Sequence, residues 1–216
     1  MAKQRAKAPA ATEAETTRGG ANVAIGISAH TGWAAAVAVI GTVAAPVIVD
    51  KWRIELVDHS TPHATGFVYH LAAERPLAAA RRLVAGTRAA AVKRARAELA
   101  AWAERHATVL VVATAIVAGK QPPLDLELEE VLASHARIHA AEGQLWREVW
   151  AEASLALGIA VERIPAPELA ARVGARLSLT PAKVDARLAE LGRRSGRPWA
   201  ADQRLATLAA WARLPG

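Results

Sequence analysis

Cysteine is absent from the 216 residues, which excludes disulfides and thiolate metal sites and leaves His, Asp and Glu to bind any metal. The same absence fits a reducing cytoplasm, where the protein is expected to reside. Large rings are scarce: aromatic residues make up 4% of the chain, with one Tyr, one Phe and seven Trp. A core rich in large rings is not expected, the seven tryptophans being the exception. Because alanine inflates the 53% hydrophobic content, the composition points instead to closely packed helices. Charge is missing from Ala21–Val49, a stretch longer than the ~20 residues of a membrane-spanning helix. Gly26, Gly32, Gly41, Pro46, the interior His30 and a β-branched bias read as strands and turns, and no aromatic belt flanks the segment. No membrane partner is therefore expected. Acidic residues are missing from Arg75–Arg96, which holds seven Lys/Arg and no Asp/Glu.

What is present is a formal net charge of +7, which favours a polyanionic partner, DNA or RNA, because each neutralised phosphate releases counterions. Residues 1–20, MAKQRAKAPAATEAETTRGG, lack apolar periodicity and read as a disordered basic tail. Residues 21–216 suffice for a single domain with a substantial core. Within it Val23–Ile27 reads as a strand, Ala29–Gly32 as a turn, Trp33–Ile40 as a second strand, and Pro46–Val57 as a third. His59–Tyr69 reads as a loop. A helix is predicted from Pro76 to His106, a buried strand over Thr108–Thr114, and a second helix from Asp125 to Leu157, capped by Gly158. A fifth strand, Ile159–Ile164, precedes helices over 167–177, 182–192 and 199–214.

The order is three strands, helix, strand, helix, strand, helices. Crossover connections then make Val23–Ile27 and Thr108–Thr114 adjacent parallel strands in one mixed five-stranded sheet, an α/β fold. GISAHTGWAAAVAV (26–39) resembles the opening hairpin of the Holliday-junction resolvase (RuvC-like) branch of the ribonuclease H-like superfamily. Two further segments carry the resemblance: SHARIHAAEGQLWREVWAEASLALGIAVERIPAPEL (134–169) and WAADQRLATLAAWARL (199–214). It implies a ribonuclease H-like fold, nucleic-acid processing, and a divalent metal, magnesium or manganese ahead of zinc. Ser28 stands where the family has its first metal-binding aspartate, the fourth strand ends in Thr114-Ala115-Ile116 rather than at a glutamate, and Asp202 matches a carboxylate of the last helix. With two carboxylates missing, the family's two-metal cleavage is in doubt.

The second helix offers a replacement. His135, His139 and Glu142 lie at i, i+4 and i+7, within about a 60° arc, and can hold a metal together with Asp202, or act as a base with an orienting partner. Read structurally, the same residues flank the apolar stripe Val131, Ile138, Leu145, Val149 and make boundary hydrogen bonds. His30 and His70 can each substitute for a lost carboxylate, with Ser28 or His30 near a scissile phosphate; the competing readings are solvated loop histidines and a buried strand serine satisfied by backbone. On the first long helix Arg81, Arg82, Arg88, Lys93 and Arg96 fall within about a 140° arc and form a candidate phosphate-tracking stripe; the competing reading is a solvated face. Arg193, Arg194 and Arg197 add a second basic cluster, while Trp199 and Trp211 read as core anchors.

Three functions remain open at this level. One is a divergent metal-dependent nuclease using some of His135, His139, Glu142 and Asp202. Another is a catalytically inactive nucleic-acid-binding or scaffold protein of the same fold. The third is a metal-dependent hydrolase of a small substrate. An Ala-rich helix and an exposed tryptophan would suit a homodimer.

Overall fold

The structure, a computed structural model, describes residues 21–58, 60, 65–119 and 122–216; the tail expected over 1–20 lies outside them. Five strands form one sheet in the order β3-β2-β1-β4-β5: β1 (Ala21–His30), β2 (Trp33–Gly41), β3 (Pro46–Glu55), β4 (Val109–Ala118) and β5 (Ala160–Pro165). The first three are an antiparallel meander, and β1 pairs parallel with β4, which pairs parallel with β5. This mixed α/β arrangement makes β1 the central strand with β4 beside it. Residues 21–49 are thus strands and turns, and among the described residues no helix is long and apolar enough to cross a membrane.

Helices cover both faces. On one lie α1 (Val68–Ala73), α2 (Leu77–Arg105) and α4 (His135–Leu155), packed on Val23, Ile25 and Ile27 through Leu99, Trp102, Leu145, Trp146 and Trp150. On the other lie α5 (Leu169–Leu177), α6 (Pro181–Ser195) and α7 (Ala201–Trp211), packed on Ala24, Val37, Val39 and Ala115. A short α3 (Leu128–Leu132) precedes α4. The alternation of β1 divides its residues between the two cores. Three of the fully buried tryptophans are tied at their polar end as well: Trp102 donates to Asp50 at 2.8 Å, Trp146 to the Gly66 carbonyl at 3.1 Å and Trp211 to the Val43 carbonyl at 2.7 Å, whereas the Trp150 N–H has no partner among the described residues. Trp211 is the core anchor expected, and Trp199 packs at the edge of the same cluster.

Three readings of the sequence are corrected. The segment before Tyr69 is not loop throughout, since α1 begins at Val68. β4 runs on to Ala118 instead of stopping near Thr114; a continuous apolar run has no period to mark its end. The helix read as Asp125–Leu157 is two, broken at Ser134, whose extended backbone (φ -144, ψ 123) starts α4 afresh.

Two glycines set the geometry of the central strand. Gly32, at φ +80, closes the β1–β2 turn where L side chains are strained. Gly26 lies under α7: a Cβ there would sit 1.8 Å from the Ala206 carbonyl oxygen and 2.9 Å from the Ala210 nitrogen. α7 can rest on β1 at this depth only because that side chain is missing. Gly26→Ala should therefore lower unfolding free energy by about 3 kcal/mol, the upper part of the overpacking range. Urea denaturation monitored by tryptophan fluorescence measures it, and a loss under 1 kcal/mol would mean that the helix slides without cost.

Candidate functional site

Gly26, Ser28 and His30 share the α7 face of β1 because side chains alternate along a strand. One helical turn of α7 back from Ala206 is Asp202. Four helical residues rise about 6 Å and two strand residues span about 6.6 Å, so Asp202 falls over Ser28 and His30. Ser28 Oγ donates to Asp202 Oδ1 at 3.1 Å, and His30 Nε2 lies 2.6 Å from the same oxygen. The His30 ring stacks on Trp33, its partner across the hairpin, with centroids 4.2 Å apart and planes at 5°. The Arg53 guanidinium lies 3.7 Å from the Trp33 ring centroid. The result is a polar end to β1 in which one carboxylate oxygen serves a hydroxyl and an imidazole, beside a partly exposed aromatic and cationic stack.

These residues do not fit the two-metal centre that the resemblance implies. Two divalent ions need several oxygen ligands between them. Asp202 belongs to no group of three or more close metal-ligating side chains among the described residues. Ile116 is paired with Ile27 and β4 continues through Val117 and Ala118, bringing no carboxylate beside Ser28. Glu162 on β5 is held by Arg172 and Arg213.

A second constellation forms on the opposite face of the sheet. His135 and His139 are exposed on the first turns of α4, with their Nε2 atoms 3.0 Å apart. The third member is His70 of α1: one ring nitrogen from each of His70, His135 and His139 lies within 4.8 Å of the others. Glu142 is buried behind them. Its Oε1 accepts the backbone N–H groups of Tyr69 at 2.7 Å and His70 at 3.2 Å, and meets His70 Nδ1 at 3.2 Å, while Oε2 is buried with no hydrogen-bond partner among the described residues. Burial pushes the Tyr69 phenol above its ordinary range, and the negative charges of Glu142 and Glu148 add to that.

The structure therefore divides the six candidate site residues between two places. Ser28, His30 and Asp202 meet at the end of β1, whereas His135, His139 and Glu142 meet around His70, a residue that the sequence offers as a lone substitute near the first site. Asp202 does not join the histidines of α4, because α7 and α4 lie on opposite sides of the sheet.

The cations of α2 also divide. Arg81 reaches Glu127 and Glu129 at 3.8 and 3.2 Å, and Arg88 reaches Glu148 and Glu152 at 3.4 and 3.1 Å. Arg82, Lys93 and Arg96 are exposed and form no ion pair among the described residues. Arg147 was not marked by any local pattern. Its guanidinium is half-buried against Gly119 and Gly143, lines a cavity with Gln144 and Arg163, and is pushed down from its ordinary range by burial.

No family model and no curated protein matches the chain. Among solved structures it is similar to T. thermophilus RuvC in complex with a Holliday junction substrate, at 14% identity over 88% of this chain and 90% of that one, with a TM-score of 0.48. It is also similar to the Thermus thermophilus RuvC structure, at 11% identity over 88% and 91%, with a TM-score of 0.45.

Replacing Glu142 by Leu leaves the N–H groups of Tyr69 and His70 without their acceptor, which should cost about 3 kcal/mol. The loss should be local. Hydrogen exchange ought to show α1 losing protection while β1 and β4 keep theirs, and unchanged protection of Val68–Ala73 would show that Glu142 does not latch the helix.

Proposed function

We propose that the protein binds nucleic acid along the outer face of α2, and that it does so without paired-carboxylate cleavage chemistry at the end of β1. The observation that carries this reading is the division of the basic stripe. Arg81 and Arg88 turn toward the glutamates of α4 and of the segment before it, whereas Arg82, Lys93 and Arg96 meet no carboxylate among the described residues. On the helix these three fall within about a 60° arc and span about 21 Å. The residues between them on that face are small: Gly86 and Ala89 are exposed, so the stripe is flat enough for a phosphate backbone to approach.

A net charge of +7 supports the same reading at longer range, by drawing a polyanion toward the surface. Cleavage is left out because the donor set at the end of β1 is a hydroxyl, an imidazole and one carboxylate shared between them. That set can bind and orient a phosphate or a base but lacks the oxygen ligands for two metal ions. The three-histidine group on the other face supports a second reading, in which hydrolysis, if present, uses a different metal in a different place.

Fluorescence anisotropy with labelled single-stranded and duplex oligonucleotides over a range of salt concentrations tests the proposal. The Arg82→Gln, Lys93→Gln, Arg96→Gln triple variant should reduce the slope of log affinity against log salt by roughly 2 to 3, near 0.9 per lost phosphate contact. The Arg81→Gln, Arg88→Gln double variant should leave the slope nearly unchanged, since those cations are already neutralised. Equal slopes for wild type and triple variant, or no binding at low salt, would return α2 to solvent.

A further inference from the structure

We propose that His70, His135 and His139 bind one transition-metal ion of the zinc class, with Glu142 orienting His70 and with a coordination position left open to solvent. This goes beyond nucleic-acid binding and concerns the face of the sheet opposite Asp202.

A metal needs ligands from more than one direction. The two α4 histidines stand one turn apart, and His70 comes to them from α1. The His135 and His139 Nε2 atoms are 3.0 Å apart, close to the edge of about 3.3 Å that two nitrogens span around a tetrahedral zinc at ~2.05 Å. The three rings cross at 83°, 65° and 82° and do not stack, and one nitrogen from each lies within 4.8 Å of the others.

Glu142 is the independent observation. A buried carboxylate is costly unless something requires it, and this one is aimed at His70 Nδ1 with its second oxygen lacking a hydrogen-bond partner among the described residues. An ionised carboxylate only accepts, so Nδ1 carries the proton and Nε2 of His70 is the nitrogen with a free lone pair. Metal-ligating histidines are held in this way by a carboxylate behind them.

Donor chemistry selects the ion. Three imidazoles and no thiolate suit zinc, cobalt, nickel or copper, whereas magnesium and manganese prefer oxygen ligands. The expectation of magnesium or manganese therefore does not extend to this group. His135 and His139 are exposed, so water can complete the shell, as in zinc sites that keep an open position.

The test uses untagged, metal-free full-length protein, titrated with Zn2+ by calorimetry and with Co2+ by visible absorption. One equivalent of Co2+ with intense tetrahedral bands, displaced by Zn2+ and altered by added azide, is the expected result. His135→Ala and His139→Ala, both at exposed positions, should each cost more than the roughly 10–100-fold that loss of an orienting partner costs, with the circular dichroism spectrum unchanged. Glu142→Gln should fall within that 10–100-fold range. Substoichiometric binding, weak octahedral bands, or Co2+ affinity that survives the His135→Ala, His139→Ala double variant would overturn the proposal. A Co2+ spectrum indifferent to azide would overturn the open position.

Discussion

The structure hangs on β1, which is paired on both edges and covered on both faces. Over Val23–Ser28 such a strand has no free backbone edge and no solvent face, so each residue there must be small, apolar or satisfied. Val23, Ile25 and Ile27 answer to one helical layer and Ala24, Gly26 and Ser28 to the other. The missing side chain at Gly26 sets how closely α7 approaches, and that depth delivers Asp202 to Ser28 and His30. A larger residue there would lift the helix and open the polar group two residues away. Packing and site are thus one constraint read at two points along the same strand.

The charge on α2 shows why a count of cations does not define a binding face. Exposed ion pairs contribute little to stability, on the order of 0–1 kcal/mol each. They matter here because they decide which cations are free. Arg81 and Arg88 lie within about 20° of each other on the helical wheel, and that edge faces α4 and the segment before it; Arg82, Lys93 and Arg96 occupy the edge facing away. The same Coulomb attraction that would hold a phosphate has already been satisfied by Glu127, Glu129, Glu148 and Glu152 for the first pair.

Much of the fold was legible because its signals are local. Thr31-Gly32 between two apolar runs marks the hairpin, and the run of strands followed by helix-strand alternation fixes which strands lie parallel. Less local features were not. Val68–Ala73 is too short to show a helical period, and its docking depends on Glu142, 73 residues away from Tyr69 in sequence. The break at Ser134 had a readable sign, since serine favours the start of a helix, yet the apolar period on either side masked it. For the site, spacing alone brought together His135, His139 and Glu142, but it gave no information on depth. Glu142, at i+7, is turned inward to serve α1, and His70 takes the third place at the exposed edge.

The separation of the two polar groups follows from the sheet itself. Side chains of β1 reach one layer or the other and never both, so a ligand held by Ser28, His30 and Asp202 meets α7, and an ion held by the three histidines meets α1 and α4. In a two-metal nuclease, the attacking and leaving oxygens are served by ions about 3.5–4 Å apart within one shell; a sheet between the groups forbids that. Each group must act alone. At the end of β1 that leaves hydrogen bonding by Ser28 and His30 and stacking by Trp33. At the histidines it leaves three ring nitrogens from two helices, backed by one buried carboxylate and separated by the sheet from the only carboxylate that reaches Ser28 among the described residues.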